Sequence, residues 1–323
     1  MPLPTDKKAL ELSHNLLNAF DTVNGGEHRG YRPAHAKGVM LTGVFRPSRD
    51  VASLTNAPHT RSETPVTVRL SDFAGIPSIP DNISEASPRG CAIRFHLGEH
   101  AHTDIVSHSV DNFPTRTAEE FLGFLNAVAA TTPTQAHPNA IEQFLGAHPN
   151  ALKFVQTPKP IPTSLAHESF FAVSAFKFTD ASGNSRFGRY RILPVAGSEY
   201  LDAAGATAKG SDFLFDEISR RISNGPVKFR IVVQLAEPGD TVDDATVRWP
   251  EGRKQIEFGE LVLRELVAEG DEEERRIIFD PIPRVEGIEA SADPLFDPRA
   301  DLYLLSGRRR RAADHQAVEA KAS

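Results

Sequence analysis

Cysteine is nearly absent from this chain. Cys91 is the only one among 323 residues, which excludes an internal disulfide and any metal site built from several thiolates. Long apolar runs are missing too. No stretch approaches the roughly 18 apolar residues of a membrane span, and Met1-Pro-Leu-Pro-Thr-Asp-Lys-Lys8 lacks the apolar core of a signal peptide. A cytoplasmic protein with no membrane partner is therefore expected. Nor is there an excess of positive charge. With 36 basic against 43 acidic residues the net charge is −7, which argues against nucleic acid as the principal ligand. The one basic block, Arg308 to Arg311, needs a local explanation. Tyrosine is scarce, with only Tyr31, Tyr190, Tyr200 and Tyr303 present. No sequence repeat, nicotinamide-nucleotide motif or linker between two cores is recognisable.

What is present divides into strand and helix periods. Residues 5–20 predict a helix that Asn24-Gly-Gly26 ends. From 39 to about 108 the period changes to two. Val66, Val68 and Leu70 share one strand face, while Thr67, Arg69 and Ser71 share the other. Likewise Ile93, Phe95 and Leu97 oppose Arg94 and His96. Thr117-Ala-Glu-Glu120 is a capping box, followed by Phe121, Phe124, Leu125 and Val128 on one helical face. Shorter helices are expected near 139–147, 150–156 and 212–223. Strands are expected at 170–179, 186–193 and 228–235, and the charge run 269–276 as a solvated loop or hairpin tip. These elements predict an α+β fold in one domain over 1–323. It is a closed antiparallel β-barrel of about eight strands, filled by side chains, with inserted and C-terminal helices. Residues 1–29 form a short helical arm and 312–323 a disordered tail.

His35 stands in Arg32-Pro-Ala-His-Ala-Lys-Gly38 just before an apolar run of strand length. That placement suits a proton-transfer group on a rigid element, and equally an ordinary hydrogen-bonded histidine at a strand end. A second group, His96, His100 and His102 with Asp104 next along the strand, has the spacing of a non-haem metal site.

Taken in order, several stretches resemble the haem catalases: Arg32 to Gly38, Thr64 to Ser71 followed by Ala74-Gly75, Pro88 to Phe95, Asp104-Ile-Val106, Trp249-Pro250, Phe279-Asp-Pro281 and Glu286-Gly-Ile288. The resemblance covers about 30 to 310. It implies a catalase-like haem fold and assigns roles residue by residue. His35 matches the distal acid–base and Ser71 the partner that fixes its tautomer. Tyr303 matches the axial iron ligand, with Arg299 one helical turn before it, where a guanidinium favours the phenolate. Arg32, Arg69 and Arg310 match the arginines that hold the haem carboxylates, leaving the rest of the basic block to solvent. Phe113 aligns with a phenylalanine near the haem.

The pattern also breaks. His108 stands where catalases place the distal asparagine, with Ser109 beside it and Asn112 later. Asp301 replaces a phenylalanine before the tyrosine, and Leu304-Leu-Ser306 replaces Pro-Asp-Thr after it. The chain stops soon after, and the N-terminal arm and wrapping loop look short. These departures resemble the small catalase-related peroxidases. A haem b enzyme is implied, reducing hydrogen peroxide or an organic hydroperoxide with a small organic electron donor, as a homodimer or monomer. A true catalase and a non-catalytic haem carrier are the alternatives.

Overall fold

A computed structural model of the chain describes residues 4–267 and 276–322, with side chains to 313. Eight strands close on themselves: β1 (Gly38–Pro47), β2 (Thr64–Ser71), β3 (Gly90–Gly98), β4 (Ala101–His108), β5 (Phe170–Phe171), β7 (Ser185–Pro194), β8 (Val227–Leu235) and β9 (Gln255–Leu266). Each pairs antiparallel with the next, and β9 returns to β1 to complete the barrel. β6 (Phe176–Thr179) and β10 (Ile288–Ala290) extend the sheet outward from β7.

The period-two pattern decides what each strand sends inward. Val66, Val68 and Leu70 meet Cys91, Ile93 and Phe95 in the barrel interior, together with Phe229, Ile231 and Val233 from the opposite side. The barrel is thus solid, as expected, and has no lumen for a ligand. The alternate residues of β2 and β4, among them Arg69, Ser71 and His108, face outward. A second apolar core covers that outer wall. It joins Leu16, Leu17 and Phe20 of α1 (Lys7–Val23), Leu125 of α2 (Ala118–Ala129), and Leu302 and Leu305 of α7 (Phe296–Ala322). The capping box that opens α2 forms: the Glu120 amide donates to Thr117 Oγ1 at 3.2 Å, and the Thr117 amide to Glu120 Oε2 at 3.4 Å. Between the two cores lies the site. α3 (Ala140–Ala147) and α4 (Pro149–Gln156) follow α2, while α5 (Ala203–Thr207) and α6 (Phe213–Asn224) lie between β7 and β8.

Two local expectations need correction, and one strand goes unread in the sequence. The stretch 170–179 is two strands, because Ala172 to Ala175 are all buried without alternation and carry the chain across. β9 escaped the pattern because its phase slips: Ile256 and Phe258 point inward before Gly259, Leu261 and Leu263 after it. A Cβ at Gly259 would collide with the Arg46 carbonyl and the Phe45 ring, so only glycine admits this close passage. Lastly, the basic block is less solvated than expected. Arg308 is exposed, but Arg309 donates to both Asp21 carboxylate oxygens at 2.5 and 3.0 Å, and Arg311 is half-buried. The backbone of α7 continues to Ala322, across most of the stretch expected as a tail. The charge run 269–275 lies outside the described residues. Among the described residues no helix is long and apolar enough to cross a membrane.

Candidate active site

His35 sits three residues before β1 in the left-handed conformation, φ +59°, which a side chain other than glycine adopts at a cost of about 1 kcal/mol. The loop is held on both sides. The His35 and Ala36 amides donate to the Phe73 and Ala74 carbonyls at 2.7 and 2.9 Å. Lys37 Nζ reaches the buried Asp81 carboxylate at 2.5 Å and Asp212 at 2.8 Å. The distorted backbone aims the imidazole at the outer wall of β2, where Nδ1 lies 3.0 Å from Ser71 Oγ. A methyl at Gly90 on the adjacent strand would lie 2.6 Å from both atoms, so glycine there makes room for the pair. Directly after Ser71, the Asp72 carboxylate is ion-paired to Arg89, both fully buried, which stiffens the end of the strand.

His35 lines a cavity of about 820 Å³ between the barrel and helices α1, α2 and α7. The residue borders the cavity and is otherwise enclosed by protein. That burial, with Arg69 and then Arg32 nearby, depresses its pKa to about 4, so the ring is neutral and able to accept a proton at physiological pH. His108 lines the same cavity. Burial first, then His35 and Arg299, push its pKa down to about 3. Its Nδ1 accepts from the Val110 amide at 3.3 Å, which puts the ring proton on Nε2. Ser109 Oγ instead accepts from the Arg89 amide at 2.9 Å, and Asn112 is buried outside the cavity lining. Of the three, His108 alone faces the chamber.

The opposite wall is α7. Arg299, Leu302, Tyr303, Ser306 and Arg310 recur at helical spacing and all line the cavity. Arg299 Nε lies 3.5 Å from Tyr303 Oη. The other tyrosines are elsewhere: Tyr190 is sealed in the barrel core, and Tyr31 and Tyr200 lie on the surface. Arg310 donates to Ser306 Oγ at 2.7 Å and to the Ile277 carbonyl at 3.0 Å, and Arg32 reaches that same carbonyl at 3.4 Å. Arg69 donates to the His35 and Ala36 carbonyls at 2.9 and 3.1 Å, and Gly38 leaves the room its guanidinium occupies. Three guanidiniums therefore gather at one part of an otherwise apolar chamber, to which Phe113 adds an aromatic wall.

All nine expected site residues thus meet around one cavity. The sequence reading missed Phe73, whose ring lies edge-on to His35 with centroids 5.5 Å apart, and the two glycines. It had also read Phe121, Phe124, Leu125 and Val128 as a helix face without seeing that they line the chamber. Lys159 was missed altogether, though Pro158-Lys-Pro160 marks a stiffened segment.

The alternative metal constellation does not assemble. His96 Nε2 is 2.9 Å from Thr67 Oγ1, His100 lies exposed at a turn, and the Asp104 carboxylate is held by Arg94 at 2.9 and 2.7 Å. Among the described residues no group of three histidine, cysteine or acidic side chains is placed to hold a metal ion.

The catalase family model matches residues 18–323. The chain belongs to the catalase family. A catalase-related peroxidase of Mycolicibacterium paratuberculosis is 32% identical over 305 residues, covering 93% of this chain and 96% of that protein. A catalase-related peroxidase of Synechococcus elongatus is 28% identical over 290 residues, covering 88% and 85%. Among solved structures, a fungal catalase superposes with a TM-score of 0.77 at 22% identity over 88% of this chain. The catalase A structure from Saccharomyces cerevisiae gives 0.76. This chain spans 60% and 62% of their lengths, and the likeness is one of fold. The residues of this catalase-family cavity fit a haem. A phenol faces the chamber from α7, guanidiniums suit two carboxylates, and much of the remaining wall is apolar, from Leu16, Phe20, Ile277 and Leu302 among others.

The buried histidines of this catalase-family chain also set its acid stability. His35 and His108 are joined by His59, whose pKa burial lowers to about 3 amid the Phe45, Phe95 and Phe258 rings. Unfolded, each takes up a proton below about 6.5, whereas folded each stays neutral to about 3 or 4. Through that window the unfolded chain binds more protons, so stability falls as pH falls and is full above about 6.5. At about 1.4 kcal/mol per pK unit, the three rings lower the unfolding free energy between pH 7 and pH 4.5. Burial raises the carboxyl pKa values of Asp72 and Glu168 to about 7, which offsets much of that loss. Urea titrations of the haem-free protein should therefore show a net fall of about 1 to 3 kcal/mol. An unfolding free energy that rises as pH falls over that range would show that these rings are charged in the fold.

Proposed function

We propose that the chain is a haem b peroxidase that reduces hydrogen peroxide or an organic hydroperoxide with a small organic electron donor. Family membership and kinship to two catalase-related peroxidases carry the general assignment, a haem-containing oxidoreductase acting on peroxide. The observation that supports the finer one is a neutral His35, backed by Ser71, facing the same chamber as Tyr303 and Arg299.

In this reading Tyr303 Oη would hold the iron, and Arg299 would stabilise the negative charge that the phenol then carries. Arg32, Arg69 and Arg310 hold the haem carboxylates. When bound, the haem would supply the redox chemistry that couples peroxide reduction to oxidation of the donor. His35 takes the proton of the peroxide hydroxyl and returns it to the departing oxygen, general acid–base catalysis by one imidazole. Ser71 holds the ring against β2. The Nε2 proton of His108 supplies a hydrogen bond within the same chamber. Overall, one peroxide becomes water and water or an alcohol, while the donor loses two electrons and two protons.

A donor must reach the chamber, and the cavity lining includes Val23 and Val155, which are 37% and 45% exposed. That route supports a peroxidase over a dismutase. Purified holoenzyme should oxidise a phenolic donor in proportion to peroxide added. Rapid oxygen evolution without donor oxidation would refute the assignment in favour of a true catalase. Haem binding with no reaction toward any peroxide would leave a carrier.

A further inference from the structure

The chamber beside His35 extends to Val23 at the end of α1 and Val155 near the end of α4, both of them exposed. Its outer walls are apolar: Phe121, Phe124 and Val128 come from α2, and Phe154 and Val155 from α4. One cation interrupts them. Lys159, between Pro158 and Pro160, also lines the cavity. Its Nζ donates to the Phe154 and Thr157 carbonyls at 2.7 and 3.0 Å and more distantly to the Val155 carbonyl at 3.4 Å, and it stands 4.6 Å from the centre of the Phe154 ring. Among the described residues no carboxylate lies within ion-pair distance of it. Its charge reaches His108, and burial pulls its own pKa below the ordinary lysine value. The helix-end carbonyls only partly offset the cost of a half-buried cation on an apolar wall. A carboxylate would complete the offset with a charge-assisted hydrogen bond. Hydrogen peroxide has no use for such walls, whereas a hydrocarbon body would bury along them.

We propose that the preferred peroxide is an amphipathic carboxylic hydroperoxide. Its carboxylate sits on Lys159 Nζ, its hydrocarbon body lies along α2 and α4, and its hydroperoxy group faces His35 and His108. This rests on the peroxide-reducing function of the same cavity.

The test compares a medium-chain hydroperoxy carboxylate with its methyl ester, which differs only in the charge. The holoenzyme should favour the acid about tenfold or more in kcat/KM, the difference lying in KM. In Lys159→Met, which keeps the apolar stem, the preference should collapse to within about twofold. Lys159→Arg, which keeps the cation, should retain most of it. Because the preference is a ratio, a general loss of activity does not imitate this result. Equal use of acid and ester by the parent, or a preference that survives in Lys159→Met, overturns the proposal. Calorimetric titration with the corresponding hydroxy carboxylate, which cannot be reduced, adds a readout independent of turnover. It should bind the parent about tenfold more tightly than Lys159→Met. If that difference appears while no peroxide is turned over, the peroxidase function fails and the Lys159 site stands.

Discussion

His35→Ala should yield a protein that still binds haem at one equivalent but turns over peroxide about a thousandfold more slowly. The factor follows from the role. A positioned acid–base group typically contributes 10² to 10⁴ in rate, and about a thousandfold corresponds to about 4 kcal/mol of transition-state stabilisation. Two features of the site keep His35 well within that range. Burial and the neighbouring Arg69 keep its ring neutral down to about pH 4, so nearly every molecule holds a free base at pH 7. The left-handed backbone and the 3.0 Å contact with Ser71 restrict the ring to one orientation, so little is spent on aligning it. The fold should tolerate the change, because the ring borders a cavity and the loop is anchored by its own amides and by Lys37. The measurements are kcat/KM for peroxide and haem stoichiometry by absorbance. If turnover survives within a few-fold, the acid–base is another group, and His108 is the one in reach.

Tyr303→Phe should lower haem occupancy at least tenfold and abolish the absorption signature of a phenolate-ligated ferric haem. The substitution removes one oxygen and keeps the ring. α7 would still pack Leu302 and Leu305 against α1 and α2, so the haem-free protein should unfold within about 0.5 kcal/mol of the parent. Loss of haem would then report ligation and not a damaged helix. Arg299 sharpens the expectation. Its Nε faces the phenol oxygen at 3.5 Å, and without that oxygen the guanidinium has no negative charge to approach on this wall. Unchanged haem uptake together with an unchanged spectrum would mean that some other group ligates the iron. The other tyrosines are poor substitutes, since Tyr190 is enclosed by the Phe176, Phe178 and Phe258 rings and the remaining two lie on the surface.

Much of the site was legible before any coordinates, because it is written in short periods. A strand alternates its side chains, so Arg69 and Ser71 had to share a face once Val68 and Leu70 were assigned to the other. A helix repeats every three to four residues, so Arg299, Tyr303 and Arg310 had to fall near one stripe. The polar character of those stripes, within chain rich in apolar partners, already separated the site-facing side from the core-facing side. β9 shows the limit of such reading. Its glycine is required by the Phe45 ring of a strand more than two hundred positions away, and the phase slip it permits conceals the strand from any local pattern.

The sequence by itself determined which residues of each element are polar together, the closed antiparallel architecture, and the ordered set of family matches on which the proposed roles of His35 and Tyr303 rest. Only the tertiary structure decided where these faces meet. The barrel interior is filled, so the chamber had to form on its outside, under a roof of helices contributed by both ends of the chain. Arg32 and Arg310, far apart in sequence, converge on one Ile277 carbonyl. The choice among His108, Ser109 and Asn112 depended on the register of β4 against Gly90, and the inward turn of Lys159 on the end of α4. Periodicity is a property of neighbours along the chain and survives in any fold. The placing of helices over the barrel depends on packing between distant segments, which no local pattern encodes.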